Sequence, residues 1–297
     1  MLALLPAVLP VGLIISIGVI AGLTLPLDRQ TLAQLTLYVL APALILDSLF
    51  HTTVSFDNAV GLLLGFAITS LAIYLIVWGL SAILNLSSSL QTSLVATSLF
   101  PNNGNMGLPL IAFALGETGL DLAIIYMLAS SILMFGFGPA ILKGGGVSSG
   151  LSLTFKLPLF WAMLAGVGLR FLLDELPFNF DEGIELLGKA SIPVALIILG
   201  MQLATTRFDI GIYEAFAAVM RLLVAPSIAF LVGTILGLEG LGLQVLVLQS
   251  AMPTAVNTFV IATEFGGDAS WVARAIVVST LTSFLTIPFV LWLSTSA

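Results

Sequence analysis

Thr97–Leu110 reads T-S-L-F-P-N-N-G-N-M-G-L-P-L, inside an apolar segment that runs from Leu90 to Leu115. At about 1.5 Å per residue this segment is long enough to cross a bilayer as a helix. A membrane helix has no use for a proline, three asparagines and two glycines near its middle. Pro101 lacks an N–H and turns the residue before it away from helix, while Gly104 and Gly107 allow conformations that a helix does not use. The stretch predicts a broken helix, unwound over Pro101–Gly107 at membrane depth. Such backbone persists only where protein or a watery cavity covers it.

The same device recurs. Ser250–Thr263 reads S-A-M-P-T-A-V-N-T-F-V-I-A-T, again within an apolar segment, and predicts a second break over Pro253–Asn257. Placing Pro253 on Pro101, an offset of 152 residues, also places Asn257 on Asn105, so both stretches carry P-x-x-x-N. Upstream, A-P-A-L-I-L at Ala41–Leu46 resembles I-P-V-A-L-I at Ile192–Ile197, with Pro42 and Pro193 offset by 151. Downstream, F-G-F-G-P at Phe135–Pro139 resembles F-L-T-I-P at Phe284–Pro288 at an offset of 149. Three landmarks in one order at nearly one offset indicate an internal duplication.

Composition sets the solvent. The 297 residues are 59% hydrophobic and 8% charged, against roughly 25% charged in a soluble domain, which makes this an integral membrane protein. The net charge of −7 is spread thinly and includes no basic run, so nucleic acid is excluded as a partner. With no cysteine, thiol catalysis, disulfides and thiolate metal sites are excluded as well. Leu4–Leu23 lacks a basic leader and a small-residue cleavage site, and is expected to be a retained helix.

Apolar runs and their breakers give ten expected spans: Leu4–Leu23, Thr31–Phe50, Ala59–Leu84, Leu90–Leu115, Leu120–Leu142, Phe155–Leu173, Ile184–Leu203, Tyr213–Leu236, Leu241–Phe265 and Ser270–Leu293. The one linker-like segment is K-G-G-G-V-S-S-G-L-S at Lys143–Ser152. Residues 1–142 are thus expected to form a first five-helix repeat, 143–154 a short cytoplasmic linker, and 155–297 a second repeat. An odd number of crossings starts the second copy on the opposite side, so the repeat is inverted. The expected fold is all-α and membrane-integral: ten transmembrane helices in two inverted repeats, with helices four and nine broken and crossing. With both termini external, the cytoplasmic side receives Arg29, Lys143, Lys156, Arg207 and Arg274, and the outside Arg170 and Lys189.

Each broken span leaves two half-helix ends near the midplane. The N-terminal ends carry about +0.5 charge and free N–H groups that suit an anion; the C-terminal ends offer carbonyls that suit a cation.

At these residues the chain resembles the auxin efflux carrier family of bacterial permeases and plant PIN-type carriers. P-N-N-G-N-M-G-L-P-L in the fourth span and A-M-P-T-A-V-N-T-F-V-I-A-T-E-F in the ninth carry the resemblance, and the order of spans extends it over the whole chain. The resemblance implies a fold similar to the bile-acid sodium symporters, with spans 1, 2, 6 and 7 as scaffold and spans 3–5 and 8–10 as a moving transport domain. It also implies small organic anions as substrates, auxin in plants and malate- or malonate-like dicarboxylates in bacteria. A homodimer through the scaffold spans is a further expectation. The long central loop of the plant carriers is absent and the third span has no charged residue, which points to a permease of the bacterial inner membrane.

Asn102, Asn103, Asn105, Thr254 and Asn257 are the candidate substrate contacts, since amides and hydroxyls donate to carboxylates. Their plainer role is to cap a half-helix and satisfy backbone freed by the prolines. Pro101, Gly104, Gly107 and Pro253 make the breaks under either role. Arg221 is the basic residue well inside a span, where a charge costs at least about 2.5 kcal/mol, although eight residues beyond Tyr213 it can snorkel to the surface. Asp47 is a candidate for a coupling proton or sodium ion, or an interfacial group; Gln202 and Gln249 either line the pathway or join helices. No cofactor and no metal site are expected, and spacing alone gives no all-oxygen ion cage.

Three functions compete. A carrier fits an inverted repeat with a broken-helix crossing. A channel or sensor can share the fold. An intramembrane enzyme needs a nucleophile and base or a metal cluster, and H-E-x-x-H, G-x-G-D and aspartate-rich motifs are all missing beside a single histidine.

Overall fold

A computed structural model describes residues 5–143, 154–173, 175–204 and 211–296. Residues 144–153 of the expected linker, and Arg207, lie outside the described residues. The described residues form helices and connecting turns, with no β-strand among them. In chain order the helices are α1 (Leu5–Thr24), α2 (Arg29–His51), α3 (Phe56–Ile83), α4 (Ser88–Leu99), α5 (Leu108–Ser131) and α6 (Gly138–Lys143). They continue with α7 (Pro158–Leu172), α8 (Phe180–Ala204), α9 (Ile212–Ile235), α10 (Gly240–Ser250), α11 (Thr258–Glu264) and α12 (Ala269–Ser296).

Among the described residues six helical stretches are long and apolar enough to cross a membrane: Arg29–His51, Phe56–Ile83, Asn103–Leu142, Pro177–Ala204, Ile212–Ile235 and Ala269–Ser294. Leu9–Thr24, Pro158–Leu172 and Gly240–Ser250 are shorter apolar helices. Asn103–Leu142, at 40 residues, would extend about 60 Å, twice a hydrocarbon core of about 30 Å. Gly116 splits it by turning sharply at φ 72° and ψ −164°, a conformation open to a residue without Cβ. Large aliphatic residues such as Leu13, Leu71, Ile235 and Leu285 stand exposed on the outer surface, as lipid requires.

Among the described residues four π-helical turns share one local cause. They lie at Thr36–Leu40, Asn103–Gly107, Ile132–Phe137 and Met220–Val224, and each ends two residues before a proline: Pro42, Pro109, Pro139 and Pro226. A proline ring in a regular helix collides with the carbonyl four residues back and cannot donate to it. A turn widened by one residue moves that carbonyl aside. Thus Ala41, Leu108 and Ala225, the residues before three of these prolines, donate to the carbonyls of Thr36, Asn103 and Met220, five positions back.

Packing rests on glycines that let backbones touch. A Cβ on Gly18 of α1 would run into the Ile197 carbonyl of α8, and one on Gly200 would run into Ile15 and Val19 of α1. Gly166 of α7 and Gly188 of α8 face α2, where a Cβ would stand 3.0 Å from the Leu46 oxygen and 3.0 Å from Leu44 Cα respectively. Helices α1, α2, α7 and α8 therefore form one closely packed group.

Candidate functional site

The break in the first half is shorter than the sequence suggests. Helix α4 ends at Leu99, and helical backbone resumes at Asn103 in the π turn that Pro109 induces. Gly104 and Gly107 lie within that turn, leaving 100–102 unwound. Gly107 serves packing instead: a Cβ there would overlap Gln249 Oε1 of α10 and stand 3.2 Å from Met252 Cγ. In the second half, residues 251–257 separate α10 from α11, so this break starts two residues before the expected Pro253–Asn257.

The two unwound segments meet as a short antiparallel pair centred on Pro101 and Thr254. The Asn102 N–H donates to the Pro253 carbonyl at 2.7 Å, and the Ala255 N–H donates to the Phe100 carbonyl at 2.8 Å. Backbone freed by one break is thus satisfied by the other. Thr254, 1% exposed, reinforces the junction from behind. Its hydroxyl donates to the Thr97 carbonyl at 2.8 Å, and its N–H donates to Ser279 Oγ at 3.2 Å.

A cavity of about 290 Å³ opens against this junction. Asn102, Asn103, Asn105 and Asn257 line it together, with Ser130, Ser131 and Ser191 on facing helices and Gln30 and Gln34 at the start of α2. Among the described residues no charged side chain lines it. Asn102 and Asn103 are 4% and 2% exposed, and the Nδ2 atoms of both and Oδ1 of Asn103 have no hydrogen-bond partner among the described residues. Neither Asn102 nor Asn257 makes a side-chain capping bond to the helix it precedes. Buried polar groups are almost always paired, so these amides are the groups best placed to meet a bound molecule.

The other candidates lie outside the cavity lining. Asp47 pairs with His51 at 3.1 Å. Gln202 is half-buried on α8. Gln249 is fully buried, packs on Gly107 and donates from Nε2 to the Ala123 carbonyl at 3.2 Å. Arg221 does not snorkel. It is 2% exposed, in the π turn of α9, and donates to the carbonyls of Ser98 at 2.7 Å, Met252 at 3.0 Å and Ser250. Among the described residues no group of three His, Asp or Glu side chains could hold a metal ion. By sequence Ser130 and Ser131 read as ordinary small-residue helix contacts, yet both line the cavity. Ser191 and the Gln30–Gln34 pair were not singled out, and for the glutamines the signal was an i, i+4 polar pair at the head of an apolar helix.

A family model described as "Membrane transport protein" matches residues 3–150 and 148–291. An "Uncharacterized transporter" of Methanothermobacter thermautotrophicus is 28% identical over 89% of this chain and 88% of its own length. A Rhizobium meliloti protein named "Putative malonate transporter" is 25% identical over 86% of this chain and 84% of its own. "Auxin efflux carrier component 1" of Arabidopsis thaliana is 29% identical over 35% of this chain and 17% of its own. These transporters are not enzymes. The chain belongs to this family of membrane transport proteins, the auxin efflux carrier family to which its two broken-span motifs pointed.

Proposed function

We propose that this protein is a secondary carrier moving a small organic anion, a mono- or dicarboxylate, by alternating access. The observation that carries the reading is the set of unpartnered, buried amides of Asn102 and Asn103 beside the junction of the two breaks. Amide donors and the N-terminal end of the helical stretch beginning at Asn103 are suited to a carboxylate. The malonate transporter relative supports the same chemical class.

In this reading the chain crosses the bilayer ten times as two inverted repeats. The packed group α1, α2, α7 and α8 is the scaffold, and α3–α6 with α9–α12 the moving domain. The cavity lies between them and runs towards Gln30 and Gln34, beside Arg29. That end carries the greater share of basic residues, so we assign the structure to an inward-facing state with external termini. The opposite end is closed by Ser48 of α2 donating to Asp121 of α5, which joins scaffold to moving domain.

Counterflow in proteoliposomes tests the reading. A panel of mono- and dicarboxylates should include at least one that saturates uptake and is trans-stimulated by internal substrate. Linear, unstimulated flux of every anion would identify a channel instead.

A further inference from the structure

Arg221 is among the largest fully buried side chains of the protein, and among the described residues no carboxylate pairs with it. Its partners are main-chain carbonyls at the ends of two helices. Ser98 precedes the last residue of α4, Ser250 is the last residue of α10, and Met252 follows within the second break. The C-terminus of a helix carries about −0.5 charge, so two such ends together present roughly −1. One guanidinium balances it. Its planar fork also supplies separate donors to carbonyls that diverge from two different chains. Tyr126 closes the neighbourhood, its hydroxyl 2.9 Å from Ser250 Oγ.

In carriers built from broken helices, unwound carbonyls and half-helix C-terminal ends are the groups that coordinate a dissociable sodium ion or proton. We propose that in this chain the Arg221 guanidinium is the resident cation of the crossing, holding the position an alkali-metal ion would otherwise need. The consequence is twofold. The crossing keeps its charge balance through the transport cycle without binding sodium or potassium. Truncating Arg221 uncovers a monovalent-cation site made of the Ser98, Ser250 and Met252 carbonyls.

The test compares the wild-type protein, Arg221→Lys and Arg221→Ala in sodium, potassium, guanidinium and N-methylglucamine chlorides at one ionic strength. Melting temperature and anion counterflow are read on each. For the wild type both should be the same in sodium, potassium and N-methylglucamine, with guanidinium lowering the melting temperature only through its general denaturing effect. Arg221→Ala, losing three charge-assisted hydrogen bonds, should melt roughly 10 °C lower in N-methylglucamine, and should recover saturably with guanidinium or an alkali cation. Arg221→Lys should retain counterflow without added cation. A purely structural arginine would give an Ala variant whose defect no cation repairs, and that result overturns the proposal. So does a wild-type melting temperature or counterflow that needs sodium or potassium, which remains decisive if Arg221→Ala fails to fold in any salt. The melting arm stands apart from the carrier reading, on which only the counterflow arm rests: failure of every anion to exchange refutes the carrier, whereas cation-dependent wild-type melting refutes the resident cation.

Discussion

Replacing Asn103 by alanine should separate the binding role of the amides from the capping role. Asn103 is 2% exposed, and both polar atoms of its side chain lack a partner among the described residues. A buried polar group left unpaired costs about 1–3 kcal/mol, so truncation relieves one penalty while leaving a small cavity. The unliganded Asn103→Ala protein should therefore melt at or slightly above the wild-type temperature. Binding should change in the opposite sense. A hydrogen bond to a charged carboxylate contributes about 1.5–3 kcal/mol, which is roughly a 10- to 150-fold rise in Kd. The assay is direct binding of whichever anion counterflow identifies, with melting curves recorded on the same preparation. A lower melting temperature with unchanged Kd would refute the reasoning and return Asn103 to a structural role. Asn102→Ala should behave alike in affinity, since its Nδ2 is the unpaired atom.

Other expected outcomes follow from neighbouring contacts. Asn105→Ala and Asn257→Ala should each weaken binding by a similar factor in the same assay, because both line the cavity from matching positions of the two stretches. Gly107→Ala should lower the melting temperature and abolish counterflow by driving a methyl group into Gln249, and Gln249→Ala in the same chain should restore part of the loss. Ser48→Ala removes the donor to Asp121 and should favour the outward-open state; a single Ser191→Cys in this cysteine-free chain should then label faster from outside. With no cationic side chain among the described residues of the lining, a dicarboxylate should bind more tightly as pH falls through its second ionisation, while a monocarboxylate changes little over the same range; unchanged dicarboxylate affinity would refute this.

Much of the helical pattern was legible because lipid imposes a simple demand: long apolar runs separated by breakers. Pro101 and Pro253, each followed four residues later by asparagine, marked the breaks for the same reason. Less visible was how far each break extends. Gly104 and Gly107 look like unwinding residues, yet Pro109 reorganises the backbone upstream of it into a π turn that keeps both within helix. The same effect precedes Pro42, Pro139 and Pro226. The proline is plain in the sequence, but whether a helix kinks, stops or widens depends on packing that no local pattern encodes.

Arg221 marks where sequence reasoning loses its grip. A charge eight residues into a span reads either as a snorkelling side chain or as a buried functional one. Side-chain partners can be sought by residue type, whereas backbone carbonyls are present at every position and leave no compositional trace. Nothing in the chain marks Ser98, Ser250 and Met252 as its partners; they converge because two breaks offset by 152 residues pair as an antiparallel bridge. Once that pairing exists, three hydrogen bonds of about 1.5–3 kcal/mol each oppose the desolvation of the guanidinium. Snorkelling then offers no advantage. The pairing of the breaks and the burial of the arginine thus depend on each other, so Arg221→Ala should disturb the Asn102–Pro253 and Ala255–Phe100 hydrogen bonds together, read as faster amide exchange at Asn102 and Ala255.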